Sequence, residues 1–136
     1  MGTAKSISTT GGGSNWDEYI IHQIEMAVKC LGIGVMQVRY NVCADQEWAE
    51  IAYADERCAR LSFAPCMPFT ATVADEDGRS AYLPIESDFF GNLIADIIRF
   101  FETGETSFSA QETLEVMKIR KAVIKAKART EWWWNI

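Results

Sequence analysis

GGGSNWDEYIIHQIEMAVKCLGIGVMQVRYNV, residues 11–42, changes its periodicity once, and that change decides the fold. Asn15 is a good helix N-cap, and Glu18 falls three residues later, where a capping box places its reciprocal partner. Ile20, Ile21, Ile24, Ala27, Val28 and Leu31 then recur at helical spacing. Gly32 stands where a left-handed residue closes a helix. From Val35 to Val42 the pattern becomes β-branched and alternating, the signature of a strand. A helix therefore feeds directly into a sheet.

Working outward, residues 1–14 are small and polar and end in Gly11-Gly12-Gly13. They read as a flexible Gly/Ser/Thr-rich lead, leaving 15–136 as a single domain. Downstream, Glu47–Tyr53 and Arg57–Phe63 flank the polar break Ala54-Asp55-Glu56, which suits a hairpin. Phe69–Val73 and Ser80–Ile85 flank Asp75-Glu76-Asp77-Gly78, a second hairpin with Asp-Gly chemistry at its tip. Pro65, Pro68 and Pro84 fall at strand ends or edges, where a missing N–H does least harm.

Two helices follow. Ser87 is the expected cap of the first, whose Phe89, Phe90, Leu93, Ile94, Ile97, Ile98 and Phe101 form a wide apolar stripe before Thr103-Gly104 ends it. Ser109 caps the second, with Glu112 as its capping-box partner and Leu114, Met117, Ile119, Val123 and Ile124 as the expected inner face. Trp132–Ile136 reads as a short edge strand or packed tail. One helix, about five strands in antiparallel pairs and two helices imply an α+β domain: an open, mostly antiparallel sheet with helices packed on one face. Trp48, Phe63, Phe69 and Tyr82 lie on strands, and alternation turns some of them to the far face. A homodimer through that face is the expected cover.

The chain has 136 residues, of which 49% are hydrophobic and 24% charged, enough for one domain with its own core. Its formal net charge of −6 opposes nucleic-acid or anionic-membrane binding. The basic run from Lys118 to Arg129 sits near a helix end, where cations complement the dipole. There is no apolar leader and no apolar stretch long enough to span a bilayer. Cys30, Cys43, Cys58 and Cys66 contain no CxxC pair, so reduced thiols in a cytoplasmic protein are expected.

The lone histidine lies on the first helix. Glu18, His22, Glu25 and Lys29 are spaced by four, three and four residues and share one face. An imidazole one turn from two carboxylates can exchange a proton near neutral pH. Trp16 and Tyr19 are expected at the helix mouth, where flat rings could stack on a ligand. The competing reading is a solvated face with an incidental histidine. A metal on His22, Glu18 and Glu25 would need a further ligand from elsewhere, so no metal site is expected. The glycine run could cradle an anion, but with no strand expected before it and no G-x-G-x-x-G spacing, a hinge for the helix is the better reading.

Two stretches together resemble the C-terminal domain of the Gfo/Idh/MocA family, relatives of glucose–fructose oxidoreductase and inositol dehydrogenase. GGGSNWDEYIIHQIEMAVKCLG is similar to that family's Gly-rich loop and a helix of Asp-x-Gly-x-His-x-x-Asp type, with Glu18, Ile20, His22 and Glu25 on the motif positions. DFFGNLIADIIRFFETGETSFSAQETLEVMKIRKAVIKAKAR, residues 88–129, is similar to its paired C-terminal helices, with a Phe-x-x-Thr-Gly turn from Phe100 to Gly104. The resemblance runs from Gly11 onward.

The resemblance implies the substrate-binding and oligomerisation domain of an NAD- or NADP-dependent oxidoreductase acting on a sugar or polyol. His22 would be the acid–base residue, and Trp16, Glu18, Tyr19 and Glu25 would shape the substrate pocket. The dinucleotide would belong to a Rossmann domain missing here, with no cofactor bound by this chain, which alone would not turn over. Ile20 stands where the family favours a small residue and could crowd that pocket. Two rival readings are a stand-alone dimeric scaffold and a small isomerase or lyase built on His22.

Overall fold

The computed structural model describes residues 2–86 and 89–136. Element by element, the chain forms β1 (Ala4–Gly11), α1 (Trp16–Leu31), β2 (Val35–Cys43), β3 (Gln46–Tyr53), β4 (Cys58–Phe63), β5 (Thr70–Asp75), β6 (Ser80–Pro84), α2 (Phe89–Thr103), α3 (Ala110–Lys125) and β7 (Trp133–Asn135), with a 3-10 turn at Ala126–Ala128 after α3.

Seven strands make one sheet in the order β6-β5-β1-β4-β3-β2-β7. Only the β1–β4 pairing is parallel. The other five pairings are antiparallel. The open, mostly antiparallel sheet is as expected, and both anticipated hairpins form. Trp133–Asn135 is an edge strand beside β2.

The lead is a correction. Residues 4–11 are not a flexible tether but a central strand, paired with β4 on one side and β5 on the other. Its short side chains hid it. A strand with both ladders filled gains its backbone bonds from its neighbours and needs few large residues. Ile7, Thr9 and Gly11 turn inward and are buried, while Ser6, Ser8 and Thr10 alternate outward.

The core lies between the sheet and two helices. Ile20, Ile24, Val28 and Leu31 of α1 and Ile119 and Val123 of α3 meet Val38, Ile51, Leu61 and Phe63 of the sheet, all essentially closed to solvent. Each such side chain contributes about 1.5–3 kcal/mol relative to exposure. The helices run antiparallel, because Lys127 Nζ lies 2.9 Å from Asp17 Oδ1 at one end and Lys29 Nζ lies 3.6 Å from Glu112 Oε2 at the other.

Two expectations about faces change. In α3, Glu115, Val116, Ile119 and Val123 point inward, whereas Leu114 is 70% exposed and Met117 is on the surface. In α2, Leu93, Ile94, Ile97, Ile98 and Phe101 are exposed rather than packed. The Ser87 cap and the side chains of Phe89 and Phe90 lie outside the described residues. Phe63 faces the helices, and Phe69 precedes β5 at the helix side, while Trp48 and Tyr82 belong to the far face by register with Ser62 and Thr72.

That far face carries a largely polar row. One row crosses all seven strands in register: Trp133, Arg39, Glu50, Arg60, Ser8, Thr72, Tyr82. Glu50 bridges Arg39 and Arg60, and the Arg39 guanidinium stacks 4.7 Å from the Trp133 ring centre. No described helix covers this row.

Candidate functional site

Helix α1 carries the site, capped by Asn15 and Gly32 at the expected positions. Only the Asn15 half of the capping box forms, and Gly32, at φ 85° and ψ −171°, lies outside the left-handed helical region. Asn15 Oδ1 accepts the Glu18 N–H at 2.9 Å, and Gly32 donates to the Val28 carbonyl at 2.7 Å. Between those caps, one face meets the sheet and the next turns outward. Gln23 fixes the boundary: fully buried, it accepts from Thr9 Oγ1 at 2.6 Å and donates to the Ser62 carbonyl at 2.9 Å.

The outward face borders an open groove of about 970 Å³, within the size range of ligand sites. Tyr19, His22, Glu25 and Lys29 form one edge. Phe69 lies beside His22, and Leu93, Phe108 and Met117 add further apolar lining. The groove thus joins a titratable rim to a hydrophobic trough.

His22 occupies the middle of the rim. Its ring lies edge-on between Tyr19 and Phe69, with centroids 6.1 Å from each and planes inclined by 65° and 77°. Nδ1 is 3.8 Å from Glu25 Oε2, an ion-pair distance longer than a direct hydrogen bond. The imidazole side chain is 54% exposed. It is neither embedded in hydrocarbon nor closed inside a cavity, and it can exchange a proton with a molecule lying in the groove.

The remaining expected residues divide. Trp16 does not sit at the helix mouth; it is 1% exposed, with its ring edge-on to Tyr40 and Phe63. An indole at the start of a helix laid across a sheet buries more apolar area inward than it could cover outside. Its Nε1 has no hydrogen-bond partner in the fold, consistent with a packing role. Glu18 is exposed and lies outside the groove lining. Ile20 points into the core and does not crowd the groove. The sequence places Phe69 on a strand and gives Phe108 no role; Phe69 precedes β5, and both reach the groove only through the tertiary fold.

The glycine run has an unexpected context: strand β1 does precede it, and α1 follows. Even so, it does not form a phosphate cradle. A Cβ on Gly12 would lie 2.7–2.8 Å from the carbonyl oxygens of Ala64, Pro65 and Met67, so oxygen atoms already crowd that turn. The Gly13 N–H donates to the Pro65 carbonyl at 3.1 Å. A pyrophosphate needs free N–H groups there, and the turn presents acceptors. These residues do not fit a dinucleotide. Among the described residues no cluster of three or more His, Cys, Asp or Glu side chains is arranged to hold a metal ion. All four cysteines are free thiols, and no described helix is long and apolar enough to cross a membrane.

No protein-family model and no curated protein matches the chain. Solved structures do. A protein from Sinorhizobium meliloti 1021 assigned as a myo-inositol dehydrogenase aligns with 99% of this chain and 57% of its own, at 17% identity and a TM-score of 0.71. One from Desulfitobacterium hafniense assigned as an NADPH-dependent oxidoreductase aligns with 98% of this chain and 57% of its own, at 15% identity and 0.71. GenD2 of gentamicin A biosynthesis, solved in complex with NAD, aligns with 99% of this chain and 56% of its own, at 12% identity and 0.69. At these identities the likeness is one of fold. The architecture is that of the C-terminal domain of Gfo/Idh/MocA dehydrogenases, and the chain spans a little over half the length of these relatives.

Proposed function

We propose that this chain is the substrate-binding and assembly half of an NAD(P)-dependent oxidoreductase acting on a sugar or polyol. The observation that carries this reading is the half-exposed His22 imidazole on an open groove, flanked by Tyr19 and Phe69. In this role His22 takes or gives the proton of a substrate hydroxyl, while Tyr19, Glu25 and Lys29 orient the neighbouring hydroxyls. Glu18 and Trp16 act indirectly, one in the helix cap and the other beneath the helix.

The dinucleotide belongs, on this reading, to a Rossmann domain outside these residues. The relatives' names support it, since one is solved with NAD and another is assigned as NADPH-dependent. The closed glycine turn supports it independently. The exposed apolar side chains of α2, next to the groove, suit a face covered by further polypeptide. Free thiols fit a reducing compartment such as the cytoplasm. A self-contained isomerase or lyase would enclose its imidazole, and the open rim argues against it.

Thermal-shift titration tests the division of labour. The isolated chain should gain no stability from NAD or NADP, because a ligand that does not bind the native state cannot raise its melting temperature. Saturable stabilisation by micromolar dinucleotide would overturn the proposal.

The uncovered sheet face, with its row from Trp133 to Tyr82, is the surface through which a homodimer would form. Sedimentation of wild type and Trp48→Asp checks this: a dimer that becomes a monomer supports it, and a wild-type monomer at all concentrations refutes it.

A further inference from the structure

Gln23 is a buried polar residue on an otherwise apolar helix face, and the proton-transfer reading of His22 gives it no part. Its amide joins two strands: Thr9 Oγ1 of β1 donates to Oε1 at 2.6 Å, and Nε2 donates to the Ser62 carbonyl of β4 at 2.9 Å. Both strand groups are otherwise positioned under α1, where replacing the amide by hydrocarbon would strand a hydroxyl and a carbonyl.

The same amide sits in a tightly stacked layer. A Cβ on Gly11 would lie 2.9 Å from Gln23 Nε2 and 2.6 Å from Phe69 Cε1. Gly11 therefore admits the amide and the Phe69 ring together. Two residues further on, a Cβ on Gly13 would lie 2.2 Å from Cγ and 2.3 Å from Cδ1 of Tyr19, so only glycine leaves that ring its place. Two glycines thus make room for the two rings that flank His22, and the amide between them fixes how far α1 is rotated.

We propose that Gln23 is the positioning residue for His22. Adjacent helical residues are about 100° apart, so clamping one side chain to the sheet fixes the direction of the next. With Gln23 bonded to β1 and β4, the imidazole is held between Tyr19 and Phe69 and aimed along the groove. This deepens the reading of His22 as the proton-transfer residue and rests on it for its functional meaning. The geometric claim stands or falls separately.

Because His22 is the sole histidine in the sequence, its imidazole proton signals are unambiguous in the full 136-residue chain. Nuclear Overhauser contacts from that ring to Phe69 and Tyr19 report its position without any ligand or nucleotide. Gln23→Met should fold with its sheet circular-dichroism signal retained yet lose the Phe69 contact. Thr9→Val should weaken the same contact, and Thr9→Ser, which keeps the hydroxyl, should restore it. Glu115→Gln, a destabilising change remote from this layer, should leave the contact intact. A folded Gln23→Met chain with the wild-type contacts overturns the proposal. If that variant does not fold, Thr9→Val decides in the same way. Since no substrate is present, failure here leaves the oxidoreductase reading untouched, and failure of substrate binding leaves this result untouched.

Discussion

The Glu115 carboxylate of α3 accepts the backbone N–H of Val35 at 2.8 Å, and the same oxygen accepts that of Gly34 at 3.0 Å. One buried acid thus satisfies two donors at the turn between α1 and β2, some eighty residues away in sequence. Lys118, with Nζ 3.7 Å from the second oxygen, partly balances its charge.

Glu115→Leu should therefore lower stability by about 3 kcal/mol, since it leaves two backbone donors without a charged acceptor. Leu114→Lys, at the neighbouring 70% exposed position, should stay within about 0.5 kcal/mol of wild type. Urea denaturation of both variants measures the contrast. A larger loss for Leu114→Lys would restore the inner face that the sequence pattern alone implies.

The same pair explains why α3 was misphased. Periodicity assigns leucine inward and glutamate outward, and nothing near residue 115 announces two unpaired N–H groups at residues 34 and 35. The cause is tertiary. By contrast, α1 was legible because its Asn15 cap, isoleucine spacing and Gly32 close lie within one continuous stretch. β1 was illegible for a third reason: its neighbours, rather than its own serines and threonines, supply the ladders that hold it. The groove edge of Tyr19, His22, Glu25 and Lys29 could be read from helical spacing, while the contribution of Phe69 and Phe108 to its lining could not.

Glu50 shares the acid side of the pH dependence with Asp55, Glu56 and Asp75, whose carboxyls are also held below their ordinary values by hydrogen bonds. Burial alone would raise the Glu50 carboxyl, but hydrogen bonds from Arg39 and Arg60 outweigh burial and hold it below the ordinary value of 4.5. A depressed carboxylate contributes stability that is fully present above the unfolded-state value and is lost as pH falls through the folded-state one. Wild type should therefore lose stability from about pH 5 downward, and Glu50→Gln should make that limb shallower while leaving the share of the other carboxylates, Asp75 above all. Unfolding free energies across the acid range test it, and parallel profiles would contradict the role of this network.

Trp16 and α2 offer a reversed expectation. Trp16→Ala should cost about 3–5 kcal/mol, because the ring fills the core between Tyr40 and Phe63. Phe101→Ser, at a side chain 81% exposed, should change the stability of the isolated chain by no more than about 0.5 kcal/mol. Thermal unfolding of the two variants distinguishes a core aromatic from one that the isolated chain leaves open.

In the proposed function a polyol lies against His22 in the groove of α1. Heteronuclear NMR titration of the chain with myo-inositol, carried into the millimolar range where enzyme KM values reach about 1 mM, tests it most directly. Saturable shifts are expected at Tyr19, His22, Glu25 and Lys29, and His22→Ala should weaken them. Shifts confined to the open sheet face around Arg39 and Trp133, or a groove that stays silent to saturating polyol, would contradict that placement.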